Sequence, residues 1–253
     1  MKISLIGSGN TATALSLALK NAGHTIIQVY SRDANNARLL ASQLDAKAVS
    51  NLSEINTDSD IYLIAVKDDA IAEVAQSLNL YGKIVAHTSG IKEKEVLTSA
   101  SENFGIFYPF VSMTKGAEID FSNSLLMLEG SNSNTLDVLH EVAISLSNNV
   151  MKVETKQRQS LHLAAVFAHN FTNHLYSISE TILEENQLSF DYLKPLIASY
   201  FQNLQTISPE LLQTGPAVRR DTSTIKKHLE LLEGKEDLKE IYNLLTAHIQ
   251  GVK

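Results

Sequence analysis

The 253-residue chain contains no cysteine, which excludes disulfides and thiolate catalysis. It also lacks an excess of positive charge. Against 28 Asp and Glu stand only 21 Lys and Arg, for a formal charge of −7. A net acidic surface argues against a nucleic-acid partner or an anionic membrane. No run is apolar for long enough to span a bilayer. The apolar start is split by Gly7-Ser8-Gly9-Asn10, so it reads as a strand and a turn rather than a signal peptide. No internal repeat, charge block or low-complexity linker interrupts the chain. With 44% hydrophobic and 19% charged residues, the composition is that of an ordinary globular protein, expected in the cytoplasm.

What is present begins at residue 2. Lys2–Ile6 is a β-type run, and Gly7-Ser8-Gly9-Asn10-Thr11-Ala12 follows without a spacer. This G-x-G-x-x-A turn binds dinucleotides when it leads from a strand into a helix. Gly7 permits the tight turn, Gly9 lets a pyrophosphate approach the backbone, and Ala12 lets the helix pack closely on the strand. Leu15, Ala18, Leu19 and Ala22 continue as a buried helical stripe, Gly23 ends the helix, and Thr25–Tyr30 reads as the next strand.

The end of that second strand lacks the Asp or Glu that usually holds the ribose 2′-hydroxyl of NAD. It carries Ser31 and Arg32 instead, and a guanidinium fork suits a 2′-phosphate. NADP(H) is the cofactor expected. Asp33, one residue late, is a candidate cap for a helix over Ala34–Leu44.

Strand-like runs at Ala46–Val49, Asp60–Val66, Lys83–His87, Gly105–Tyr108, Ser124–Leu128 and Asn149–Val153 alternate with helical stretches. The fold expected is α/β: a Rossmann-type, mostly parallel sheet over residues 1–154, followed by an all-helical domain over 155–253. Helices are predicted at about Lys156–Asn186, Asp191–Ser208 and Thr222–Gly251. Ligands of such sheets sit past the C-terminal strand ends. That nominates Val66, Lys67 and Asp68 after one strand, and His87, Thr88 and Ser89 after the next, as cofactor contacts. Tyr108 follows as a substrate contact. Asp68 and Asp69 are equally placed to cap a helix, and His87 to be an interior histidine.

The segment Leu161–His174 is rich in Ala and Leu yet carries three histidines and two asparagines. On a uniform helix His162, His169, Asn170 and Asn173 share one face. Such a stripe must be hydrogen-bonded or wet. A crevice lining, a buried network or dimer seam, and a metal site all answer that need, and no metal is expected because no carboxylate lies on the stripe. His162 is the first candidate proton donor, Asn170 and Asn173 orient substrate, and His169 contacts it. A Gly215-Pro216 break exposes Arg219 and Arg220. Arg219 is a candidate for a substrate carboxylate, and a capped interhelical turn ending at Asp221-Thr222 is the alternative.

Taken together, G-S-G-N-T-A, V-Y-S-R, V-K-D-D-A-I, H-T-S-G, F-Y-P, L-H-L-A-A-V-F-A-H-N-F-T-N-H and T-G-P-A-V-R-R-D resemble a family of NADP oxidoreductases. Its members join a Rossmann-like half to a helical half of unassigned function. More distantly the chain is similar to pyrroline-5-carboxylate reductases, β-hydroxyacid dehydrogenases and deazaflavin-dependent NADP oxidoreductases. The resemblance implies a helical domain like the C-terminal part of 6-phosphogluconate dehydrogenase, which forms a homodimer with loops crossing between subunits. It also implies NADP(H) at Gly7–Ala12 and Ser31–Arg32, and an active site facing His162, Asn170 and Asn173. The lysine that β-hydroxyacid dehydrogenases place four residues before an Asn is missing: His169 precedes Asn173, and Val166 precedes Asn170. The serine- and glycine-rich C-terminal loop of the pyrroline reductases is missing too. An oxidoreductase acting on a C=O or C=N bond of a small metabolite is expected, with a non-catalytic NADP(H) sensor as the rival and a metal-dependent hydrolase as a third reading.

Overall fold

A computed structural model describes residues 1–113 and 119–251. The chain forms two compact units, Met1–Thr172 and Asn173–Lys253.

The first unit is built on β1 (Lys2–Ile6), β2 (Thr25–Tyr30), β3 (Lys47–Val49), β4 (Ile61–Ile64), β5 (Ile84–His87), β6 (Asn103–Phe110), β7 (Leu125–Gly130) and β8 (Val150–Lys152). They make one eight-stranded sheet in the order β3-β2-β1-β4-β5-β6-β7-β8. Every neighbouring pair is parallel except β6 and β7. The order reverses between β1 and β4, and this switch point opens a crevice beyond the strand ends.

Helices α1 (Asn10–Asn21), α2 (Ala34–Leu44), α3 (Ile71–Gln76) and α4 (Ser133–Ile144) accompany the sheet. Neighbouring strand residues feed opposite faces, as the strand period requires. Leu5 and Leu63 join Leu15, Leu19, Leu40 and Leu139 in one core cluster, while Ile6 and Ile64 join Ile71, Val74 and Leu97 in the other. Burial on both faces explains why these strands read as continuous apolar runs. Gly23 adopts φ +89° just past α1, as the helix-ending position demands. Asp33 caps α2, its carboxylate accepting from the N–H groups of Asn35 and Asn36. The segment after β4 opens with a 3₁₀ turn, Asp68–Ala70, before α3.

The switch from strands to helices after residue 154 does not coincide with the division between units. Helix α5 (Thr155–Ala165) belongs to the sheet unit, where Arg158 is fully buried. A π-helical segment, Val166–Phe171, follows it.

The second unit carries the rest of α6 (Thr172–Glu184), then α7 (Lys194–Leu204), α8 (Pro209–Leu212), α9 (Thr222–Leu231) and α10 (Glu236–Gly251). The single helix predicted over Thr222–Gly251 is two, since Gly234 at φ +83° ends one before the next begins. The one predicted over Asp191–Ser208 opens as a 3₁₀ turn, with its α-helical part only over α7. Asp221 caps α9, accepting from the Thr224 N–H at 3.1 Å, so the Gly-Pro segment ends in a capped turn. Among the described residues of this unit, Ala217 is the one buried hydrophobic side chain. No helix among the described residues is long and apolar enough to cross a membrane.

Candidate active site

The crevice at the switch point is a cleft of about 690 Å³ lined by the glycine turn, the end of β2, the segment after β4, the turn after β5, Tyr108 and His162. Gly7, at φ +132°, is fixed by two constraints at once: a Cβ there would lie 2.2 Å from the Ala65 carbonyl oxygen. Gly9 has open space where a Cβ would be. As the N-cap of α1 it supplies no side-chain acceptor, and the first turn of α1 carries no acidic residue. The first N–H groups of α1 are thus uncapped at a helix's positive end, which is the donor set a pyrophosphate takes. Ala12 is fully buried and lets α1 approach β1; its part is packing rather than contact.

At the outer end, Ser8 donates to the Ser31 hydroxyl at 2.8 Å, which in turn accepts from the Asp33 N–H at 3.3 Å. Arg32 is exposed at the cleft margin. The Asp33 carboxylate is engaged in capping α2, and Arg32 brings a guanidinium to the margin of the cleft. Tyr30, Leu52, Val74 and Asn36 also line this end. Leu52, Val74 and Asn36 escaped the sequence reading, since strand ends alone do not reveal apolar residues brought in by a 3₁₀ turn or a helix flank.

At the inner end, Thr88, Ser89 and Gly90 face the cleft with Val66, Lys67 and Asp68. His87 does not line it. It is fully buried, its Nδ1 accepting from the Ser89 N–H at 3.1 Å and its Nε2 lying 3.2 Å from the Glu93 carbonyl. Burial lowers its pKa to about 4, so at neutral pH it is a neutral ring that shapes the turn. The cofactor contact expected of it therefore falls to the residues that follow.

Tyr108 and His162 meet here: the phenol oxygen lies 2.9 Å from Nδ1. Burial raises the Tyr108 pKa above its usual value, with the Asp68 carboxylate adding to the rise and the Arg158 guanidinium opposing it. The phenol therefore stays protonated at neutral pH. Gly90 makes the approach possible, because a Cβ on it would sit 2.4 Å from His162 Nδ1 and 2.9 Å from Tyr108 Cζ.

The remaining candidates are elsewhere. His169 and Asn170 are exposed and do not line the cleft; Asn173 is exposed within the second unit, beside Tyr176, Ser177 and Glu180. The shared face drawn on a uniform helix is interrupted by the π segment Val166–Phe171, which changes the angular period where the stripe needed it constant. Arg219 is exposed. It precedes Arg220, which holds φ +54° and donates to the Gln250 carbonyl at 3.3 Å. Among the described residues no three His, Asp or Glu side chains gather as metal ligands.

Two family models match the chain. Residues 2–89 fit NADP oxidoreductase, coenzyme F420-dependent, and residues 124–249 fit a domain of unknown function, DUF2520. A Bacteroides fragilis protein provisionally named an NADP oxidoreductase is 37% identical, with TM-score 0.92, over 99% of this chain and 98% of that one. The chain belongs to the NADP oxidoreductase family. A reductive aminase from Aspergillus terreus, solved with NADPH and ethyl-5-oxohexanoate, shares the fold at 14% identity and TM-score 0.76, covering 98% of this chain and 92% of its own. A glycerol-3-phosphate dehydrogenase [NAD(P)+] from Mycoplasma mobile is 31% identical over 124 residues, or 47% of this chain. The match spans only 36% of that curated relative. In this NADP oxidoreductase the glycine turn and the Ser31–Arg32 corner line one end of the cleft.

Proposed function

We propose that this NADP oxidoreductase reduces a C=O or C=N bond of a small metabolite, with Tyr108 and His162 delivering the proton. The observation that carries the reading is the 2.9 Å contact between Tyr108 and His162 at the inner end of the cleft, opposite the glycine turn. Bound NADPH supplies a hydride to the carbon. The uncapped N–H groups of α1 hold its pyrophosphate, Arg32 and Ser31 its 2′-phosphate, and Val66–Asp68 and Thr88–Gly90 flank its nicotinamide half.

As negative charge develops on the substrate oxygen or nitrogen, the Tyr108 hydroxyl gives up its proton to that atom, and His162 replaces it from Nδ1. A phenol kept protonated by burial suits the first role, and an imidazole nitrogen 2.9 Å from the phenol oxygen suits the second. The protein works in this reading as a cytoplasmic homodimer through its helical unit. His169, Asn170, Asn173 and Arg219, exposed outside the cleft, are the candidates for further substrate contacts, Arg219 for a carboxylate.

The test is Tyr108→Phe. Its dissociation constant for NADPH should stay within about twofold of the parent, while turnover of the best carbonyl or cyclic-imine substrate falls on the order of a hundredfold. Unchanged turnover would remove the pair from the chemistry. Tight NADPH binding with no oxidation of the cofactor across a panel of aldehydes, ketones and imines would favour the sensor.

A further inference from the structure

Among the described residues Arg158 is the largest side chain with no exposed surface. Its Nε donates to Glu129 Oε1 at 2.6 Å, Nη1 to the Ser89 carbonyl at 3.0 Å and Nη2 to the Lys92 carbonyl at 2.7 Å. Glu129, itself 4% exposed, accepts on its other oxygen from the Thr155 hydroxyl at 2.7 Å, with Lys94 Nζ 3.9 Å away. The next residue along the helix joins in: Gln159 Nε2 donates to the Ile91 carbonyl at 2.8 Å. Side chains of α5 thus take three carbonyls of the turn Ser89–Lys92. Gly90, in that turn, is the residue pressed against Tyr108 and His162. Arg158 and His162 are four apart on α5 and so point from the same face.

Stability alone does not account for such a pair. A buried ion pair roughly breaks even against well-packed apolar side chains of similar volume. What apolar side chains cannot do is take two carbonyls in fixed directions, which the planar guanidinium fork does. We propose that Arg158, with Glu129 as its counter-ion, is a positioning residue for the reduction: it sets the gap between the turn Ser89–Lys92 and helix α5, and so holds Tyr108 and His162 together over the inner end of the cleft. The proposal rests on the reading of that pair as the proton donor, and its test separates the two.

The substitution is Arg158→Lys, which keeps the charge beside Glu129 but replaces the fork by a point donor. The readouts are the imidazole ¹⁵N–¹H resonances of His162 in NADPH-saturated protein, the melting temperature, and kcat against KM for NADPH. Tyr108→Phe marks where the His162 signal falls when the contact is absent. In R158K the signal should move at least halfway to that position, and kcat should fall on the order of tenfold to a hundredfold. KM for NADPH should change less than about twofold, because the phosphate end is untouched. A His162 signal identical to the parent's in folded R158K overturns the proposal, whatever the melting temperature does. Should R158K not fold, Gln159→Ala takes its place: it frees only the Ile91 carbonyl, and a smaller displacement of the same signal supports the proposal while none defeats it. The resonance needs no substrate, so it decides the role of Arg158 even if Y108F shows that the pair is not catalytic.

Discussion

Leu63 in the sheet unit is 1% exposed, and its neighbours Leu5, Leu15 and Leu19 are as deeply covered. In the helical unit Leu196 is 69% exposed, Leu211 78% and Leu244 69%. Both regions have sharply formed secondary structure, yet among the described residues the first buries dozens of apolar side chains and the second buries Ala217 alone. Helices of this length draw most of their stability from packing of an apolar face rather than from propensity. The helical unit therefore presents a surface whose apolar residues call for cover, which is the physical ground for proposing a homodimer. The sheet unit carries its cleft on a core of buried side chains.

The difference is broken or sharpened by four substitutions. Leu63→Ala should destabilise the protein by about 2–5 kcal/mol, the cost of a cavity in a close-packed core, read from urea unfolding. A loss below about 1 kcal/mol would mean that the sheet unit is less tightly packed than its burial implies.

Next in size is the pH response of His87. Its pKa is about 4 when folded against 6.5 ordinarily, so between these values the unfolded chain binds the extra proton. The contribution of a neutral His87 is complete above pH 6.5 and is lost as pH falls toward 4, by about 3 kcal/mol. His87→Gln should flatten that part of the stability–pH curve; an unaltered curve would assign the acid sensitivity to other groups.

Smaller again, Arg32→Ala should raise the dissociation constant for NADPH on the order of tenfold and leave NADH nearly unchanged, since only the 2′-phosphate loses a charged donor. Equal losses for both cofactors would refute the assignment of Arg32.

Leu211→Ala closes the series. It should change the unfolding free energy of the sheet unit's transition by less than about 0.5 kcal/mol, while light scattering at micromolar protein shows a weakened dimer. A stability loss matching that of Leu63→Ala would mean that Leu211 is covered as deeply as the core, and the comparison would fail.

Much of the cofactor end was legible in the linear chain because its signals are local. The glycine spacing, the cap at Asp33 and the stop at Gly23 each act within a few residues of themselves, so pattern and structure agree there. The inner end was legible in part. Tyr108, Thr88 and Ser89 lie at strand ends, where topology alone points. Arg158 gave no signal, since one arginine on a polar-looking helical turn resembles any solvated residue until the strand carrying Glu129 passes beside it. His162 reached the cleft as expected, but its companions on the stripe did not, because the π segment broke the periodicity that placed them together.

By itself, then, the sequence determined the βαβ unit, the strand series and the Rossmann-type class, all products of short-range stereochemistry, and it motivates the proposal of a 2′-phosphate at Ser31–Arg32. Tertiary structure alone decided that β6 and β7 run antiparallel, that His87 is sealed inside while Tyr108 meets His162, and that Arg158 ties a helix to the turn beneath it. These outcomes join residues up to 69 positions apart, and burial and hydrogen-bond satisfaction at such separations are set by the packing of the whole unit rather than by any neighbour in the chain.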